Sequence, residues 1–198
     1  MSSKHADVRY PIHELAAKRW SPYAFADRPV DPADLRSIFE AARWAASSYN
    51  EQPWRWIVAT KDDSVAYGRL LSCLVETNQE WARSAPVLGL AVASLRFERN
   101  GRENPAALHD LGLAAGNLSL EVTARGLHVH WMIGILPDRA CTLYGIPEGF
   151  RAVTGFTIGY LGDLEAAPER FRERDAAPRR RKPLEELVFR ERWGSAAP

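Results

Sequence analysis

Apolar positions recur along this chain at two spacings, and the alternation between them predicts helices interleaved with about four strands. Leu35, Ile38, Phe39 and Ala42 share one helical face. Asp31 and Pro32 precede them as N-cap and first helical residue, so a helix is expected from residue 32. An earlier helix is predicted over 9–20, with Ile12, Leu15, Ala16 and Arg19 at helical spacing, and another over 63–76 that buries Tyr67, Leu70, Leu71 and Leu74. The longest helix is expected from Pro105 to about Arg125, capped by Asn104 and stopped by Gly126, with Leu108, Leu111, Ala115, Leu118 and Val122 repeating at heptad-like intervals. A short helix follows near 138–144. Trp54–Ala59 is dense in aromatic and β-branched residues and reads as a strand, as do His128–Leu136 and 152–161. Pro86–Ser94 is almost continuously apolar, which predicts a central strand covered on both faces.

From Asp163 the pattern changes to Pro, Arg and Glu. The stretch 163–198 is expected to be an extended arm, too polar to build a core of its own. It ends in an apolar patch of Leu184, Leu187, Val188, Phe189 and Trp193 that a partner subunit would cover. With 198 residues the chain is read as one domain, and a pattern of this kind suits an α+β or α/β architecture.

Composition narrows the function more by exclusion than by indication. A net charge of +1 offers no field that would draw the molecule to nucleic acid or to an anionic membrane. The polar Met1–Asp7 segment has no apolar signal core, and no run approaches the roughly 18 apolar residues of a membrane span. Cys73 and Cys141 are the only cysteines and form no CxxC pair, so a reducing, cytoplasmic setting is expected. There is no GxGxxG after a strand, no Walker A loop, no GxSxG elbow and no HExxH. Those absences exclude the commonest nucleotide-binding and hydrolase readings.

Three clusters remain. Residues 46–54 (Ala-Ser-Ser-Tyr-Asn-Glu-Gln-Pro-Trp) concentrate hydroxyls and amides between a helix and a strand, and such a loop can present fixed donors and acceptors to a planar polar ligand; a plain helix end and turn would use the same residues. At the end of the first helix, Arg19 and Ser21 have the chemistry to hold a phosphate, although a cation also suits any helix C-terminus. The basic run Arg179–Lys182 is by itself a solvated patch or a nucleic-acid contact. His128 and His130 share a strand face but lack a third partner, so no metal site is expected. His109 and Asp110 are adjacent on a helix and are given a structural role; Trp44, Trp54 and Trp56 are assigned to the core, and Trp81 either roofs a substrate pocket or simply packs.

Taken in order, an RxSxxxF element at Arg19, the SSxNxQPW loop and a basic-Pro-Leu-Glu-Glu tail resemble the nitroreductase family. So do His109-Asp110-Leu111-Gly112 with Asn117-Leu118, then Gly126-Leu127 and the strand near Trp131–Gly134. The resemblance runs over about residues 11–193. It implies an α+β three-layer sandwich, a mostly antiparallel sheet flanked by helices, with a C-terminal arm exchanged across a homodimer. It also implies FMN between the subunits and NAD(P)H as co-substrate. Arg19 and Ser21 would then meet the FMN phosphate with Arg179 and Arg181. Ser47, Ser48 and Asn50 would approach the isoalloxazine from the other subunit with Gln52 alongside, and the backbone of Ile133 and Gly134 would lie near flavin N5. No side chain is assigned as catalytic, because the flavin carries the chemistry.

Two positions depart from the family pattern. Tyr23 stands where a cation is usual in RxSxR; unless Lys18 substitutes, the flavin potential should be lower than in a Tyr23→Arg variant. Ala46 replaces a usual proline, which should do no more than loosen the loop. The activity implied is ping-pong transfer of hydride from NAD(P)H to a nitroaromatic, quinone or activated alkene. The rivals are an oxygen-using or flavin-cleaving enzyme of the same fold, a non-catalytic FMN-binding protein, and a nucleic-acid binder that uses the basic run.

Overall fold

The structure is a computed structural model describing residues 4–196. At its centre is β2 (Val87–Ser94), in which every residue is buried, as its apolar run requires. It pairs antiparallel on one side with β1 (Trp54–Thr60) and on the other with β4 (Phe150–Gly159), which in turn pairs with β3 (His128–Met132). The 4-stranded sheet therefore has the order β1-β2-β4-β3, and every pairing among these strands is antiparallel.

Alternation along β2 sorts the core into two layers. Leu88, Leu90 and Val92 pack with α3 (Ser64–Leu71), α4 (Glu76–Ala82), α6 (Pro137–Tyr144) and α7 (Glu169–Ala176). Val87, Ala91 and Ala93 face α2 (Pro32–Arg43) and α5 (Ala107–Ala124) on the other side. Gly89 lies on this second face because the ring of Phe156 sits directly above it; a Cβ there would come within 2.0 Å of Phe156 Cζ. The result is the helix–sheet–helix sandwich that the resemblance implied.

Local chemistry explains most boundaries. The Asp31 carboxylate accepts from Ala33 N (2.7 Å) at the start of α2, with Pro32 in the first turn. Asn104 Oδ1 accepts from Ala106 N (3.0 Å) ahead of α5, and Gly126 at φ +70° ends it. The buried face of α5 is Ala107, Leu111, Ala114, Leu118 and Val122. Leu108, placed on that face from the sequence, is instead 43% exposed.

Several expectations need correction. The first helix, α1 (Glu14–Lys18), is much shorter than 9–20: Pro11 disfavours helix at Tyr10, and His13 is an extended N-cap whose Nδ1 accepts from Leu15 N. Ala17, not Ala16, faces the core. The helix predicted over 63–76 stops at Leu71, and a separate α4 follows. Residues 73–75 extend to meet 134–136, through Leu136 N to Cys73 O (2.7 Å) and Val75 N to Gly134 O (3.1 Å), so tertiary pairing overrides the helical spacing of Leu74. The same pairing ends β3 at Met132, short of Leu136. Trp44 is not core: it is 73% exposed, with Nε1 donating to Glu40 Oε1 (2.8 Å). The tail is not an arm from residue 163, because α7 buries Phe171 and Asp175 against the first layer. Beyond it, Leu184, Leu187, Val188 and Trp193 are exposed. Among the described residues no helix is long and apolar enough to cross a membrane.

Candidate functional site

The arginines of the first helix end and of the tail meet in space. Arg19 leaves α1 in extended backbone, and its Nη1 donates to Ser21 Oγ (3.3 Å). The chain returns from α7 so that Arg179 Nη1 donates to the carbonyls of Ala17 and Lys4, each at 2.7 Å. A cavity of about 260 Å³ is lined by Arg19, Ser21, Tyr23, Arg174, Arg179 and Arg181. Burial, with the charges of Arg179 and Arg181, holds the Arg19 guanidinium below the usual arginine range; burial and Arg181 do the same to Arg179. The carboxylate among the lining residues, Asp175, accepts from Tyr23 N (2.9 Å). Arg19 and Arg179 are partly desolvated like charges, and their hydrogen bonds go to a hydroxyl and to backbone carbonyls rather than to a carboxylate, an arrangement suited to an anion. A phosphate fits that requirement, and guanidinium forks are the groups best shaped for it.

Tyr23 itself is wedged among aromatic rings: stacked on Phe171 (4.9 Å), edge-on to Trp81 (5.1 Å) and to His130 (4.6 Å). Arg174 Nη1 donates to its hydroxyl (3.2 Å). Lys18 does not take that position; it pairs with Glu14 (3.1 Å). His130 Nδ1 donates to Pro22 O (2.9 Å), and burial pushes the ring below the usual histidine range, as it does His128. Trp81 is 2% exposed, so the packing reading of that residue holds and the pocket-roof reading does not.

The loop between α2 and β1 lies elsewhere. It has a 3₁₀ turn at Ser48–Asn50 and places Tyr49, Asn50 and Gln52 at φ +54°, +55° and +51°, left-handed backbone that non-glycine residues adopt at a cost. Three contacts hold it there. Ser47 Oγ accepts from Gln52 N (3.0 Å), the Gln52 side chain donates to Asn50 O (3.0 Å), and Ser48 N donates to Asp110 Oδ2 (2.9 Å). Glu51 also accepts from Glu98 N, which ties the loop to the segment where Arg99 lies 4.1 Å over the Tyr49 ring. Asp110 is 2% exposed, and its second oxygen accepts from His109 Nδ1 (3.1 Å). The structural role given to the His109–Asp110 pair thus has a specific object, the loop, which the sequence did not reveal.

Ser48 is anchored near the start of α5, whereas Trp20 shares a cavity with Thr123 and Gly126 near its end. At ~1.5 Å per residue, roughly 20 Å of helix axis separates Asp110 from Thr123. One chain therefore brings Arg19, Ser21, Tyr23, Arg179 and Arg181 together but does not bring Ser47, Ser48, Asn50 and Gln52 to them. Ile133 is 78% exposed just past β3. At Gly134 the carbonyl accepts from Val75 N (3.1 Å) and Asn78 Nδ2 (2.9 Å), and a Cβ would meet Asn78 Nδ2 at 2.5 Å. No group of histidine, cysteine and carboxylate side chains able to hold a metal occurs among the described residues.

Residues 16–160 match the model of the nitroreductase family. A solved structure described as an oxidoreductase containing FMN is 33% identical, superposes with a TM-score of 0.91, and is matched over 98% of this chain and 99% of its own. An uncharacterized 15.4 kDa protein in the ask 5′ region of Mycolicibacterium smegmatis is 36% identical over 126 residues, 63% of this chain and 83% of the relative. An NADH dehydrogenase of Thermus thermophilus is 26% identical over 202 residues, 88% of this chain and 93% of the relative. With most of its length inside the family's match and its sheet, helices and arginine cluster in the expected order, the chain belongs to the nitroreductase family.

Proposed function

We propose that the chain is an FMN-dependent oxidoreductase acting as a homodimer, taking electrons from NAD(P)H and delivering them in a ping-pong cycle to a small organic acceptor. Nitroaromatics, quinones and activated alkenes are the acceptor classes. The observation that carries this reading is the convergence on one cavity of Arg19 and Arg179, both partly desolvated, with Arg181 beside them. A mononucleotide phosphate is a dianion of the right size and charge to relieve them. The solved relative described as containing FMN agrees in kind.

When bound, FMN would supply the two-electron redox chemistry, which needs stacking and alignment more than an acid–base side chain. The chain's own residues bind and orient. Arg19, Arg179 and Arg181 neutralise the phosphate, and the Ser21 hydroxyl, already fixed by Arg19, adds a neutral donor or acceptor. Gly134 is clamped by its carbonyl where a side chain would not fit, so backbone alone faces any ligand there. Ser47, Ser48, Asn50 and Gln52 sit on a loop locked before any ligand arrives.

The positions of the two proposed half-sites support the homodimer reading. They flank opposite ends of α5, whose outer face carries Leu108, Gly112, Gly116 and Leu120 at four-residue spacing, both leucines exposed and both glycines with open space beyond them. A second copy packed antiparallel on that face would bring one chain's arginines to the other chain's 47–52 loop. The exposed apolar tail around Leu184 to Trp193 would extend across the same partner. Free Cys73 and Cys141 suit a cytoplasmic address.

The purified protein tests the reading directly. It should absorb near about 370 and 450 nm, as protein-bound flavin does, sediment as a dimer, and give parallel double-reciprocal plots with NAD(P)H and a nitroaromatic or quinone. A colourless monomer that takes up no added FMN would refute it.

A further inference from the structure

The two histidines of β3 lie outside the arginine cavity but touch the chain that carries it. His128 and His130 share one strand face, opposite Val129 and Trp131, which pack into the α2–α5 layer. Both rings meet the stretch between Arg19 and Tyr23. His130 Nδ1 lies 2.9 Å from Pro22 O, and because a carbonyl can only accept, that nitrogen carries the proton. Pro22 is buried and has no N–H, so the carbonyl is the one main-chain polar group it must satisfy. Two residues earlier, the Trp20 ring lies edge-on to His128 (5.6 Å), and the Trp20 backbone favours the protonated form of that histidine, as a carbonyl facing a ring N–H does. His130 is also enclosed by the rings of Trp81 (4.4 Å) and Tyr23 (4.6 Å), which hold its orientation.

Histidines two apart on β3 thus meet residues two apart on the facing chain, 20 and 22. The alternate residues Arg19, Ser21 and Tyr23 line the arginine cavity, whereas Pro22 does not. Asp175 adds a third fixed point by accepting from Tyr23 N (2.9 Å). We infer that His128 and His130 are positioning residues for the phosphate end of the site: by holding residues 20 and 22 against β3, they keep Arg19 and Ser21 turned into the cavity. The inference rests on the FMN reading above. Neither histidine lines the cavity, so both act through the main chain rather than on the ligand. The His-x-His spacing that suggests a metal pair in the sequence is here a ruler for a neighbouring backbone.

The test titrates the full-length protein with FMN and with riboflavin, which lacks only the phosphate, and follows the quenching of flavin fluorescence. The wild type should bind FMN more tightly, through charge-assisted bonds that riboflavin cannot make. His130→Leu fills the space but donates nothing, and should lower the preference for FMN over riboflavin about fivefold, the scale of one net hydrogen bond. His130→Asn, whose amide can donate from near the place of Nδ1, should restore most of that preference. His128→Leu should lower it in the same sense, and the double variant by more than either single change. Equal weakening of both flavins would make the histidines packing residues and overturn the inference. So would an unchanged preference in His130→Leu, or an Asn variant no better than the Leu one. A wild type that binds riboflavin as tightly as FMN, or that binds neither, would instead sink the phosphate reading itself.

Discussion

The two half-sites of this molecule are built on opposite principles. The arginine end gathers like charge into one cavity, where Arg19 and Arg179 are partly buried and bond to a hydroxyl and to carbonyls rather than to a carboxylate. The 46–53 loop spends its strain in advance, with left-handed backbone at Tyr49, Asn50 and Gln52 secured by Asp110 and by its own hydroxyl and amide groups. On the function proposed above, the first half attracts a ligand and the second offers it a preset shape. A ligand that bridges them would gain affinity from the one and orientation from the other.

The largest effect expected concerns whether the halves meet across two chains. At Gly116 an added Cβ meets nothing within 4 Å in one chain, so Gly116→Glu starts into open space there. Buried at a partner's α5 it would be an unpaired charge costing about 2–5 kcal/mol or more, roughly 30-fold or greater in dimer affinity. Sedimentation and FMN titration should show monomers that have lost the cofactor; monomers that retain FMN would break the comparison at its root. Next is Arg19→Gln. Losing a charge-assisted contact of about 1.5–3 kcal/mol should weaken FMN by roughly 10- to 100-fold, while the thermal midpoint of the ligand-free protein stays level or rises, because the charge removed was disfavoured by burial and by its neighbours. A fall in both quantities would mean that Arg19 is structural.

Asp110→Ala should act in the other sense, costing about 1–3 kcal/mol of stability by leaving Ser48 N unsatisfied, with a smaller loss of FMN affinity than Arg19→Gln. Urea unfolding and amide exchange at residues 47–52 report it, and an unchanged loop would remove Asp110 from the account. The smallest effect is titration at the arginine end. Burial lowers the folded-state pKa of His130 below the ordinary value of ~6.5. Above that value both folded and unfolded states are neutral there. As pH falls below it toward the depressed folded value, the unfolded chain takes a proton that the native state refuses, and stability declines. His130→Gln should flatten that acid-side decline, and an unchanged pH dependence would assign it to other groups.

How much of this was legible in the sequence depended on whether the cause was local. The α2 helix carries its cap, proline and apolar face within its own residues, and β2 advertises burial on both faces; both came out as read. The arginine end was legible in composition, because Arg19, Ser21 and the 179–182 run had chemistry to offer, although nothing in the run said that Arg179 turns inward to Ala17 O and Lys4 O. The split between α3 and α4 was hidden because its cause lies at residues 134–136. Phe171 and Asp175 were lost among charged neighbours, so a helix that supplies Arg174 was read as arm. Asp110 gives no local sign that it will clamp a backbone amide at residue 48.

The strained loop also has a bearing on heat tolerance. Each non-glycine residue held left-handed costs of order 1 kcal/mol or more, so substituting glycine at Asn50 would relax the backbone and lift the melting temperature. Selection for robustness alone would therefore erode the part of the molecule that prearranges its donors. A thermostable variant altered at residues 49–52 should be viewed as a sturdier scaffold with a blunter tool.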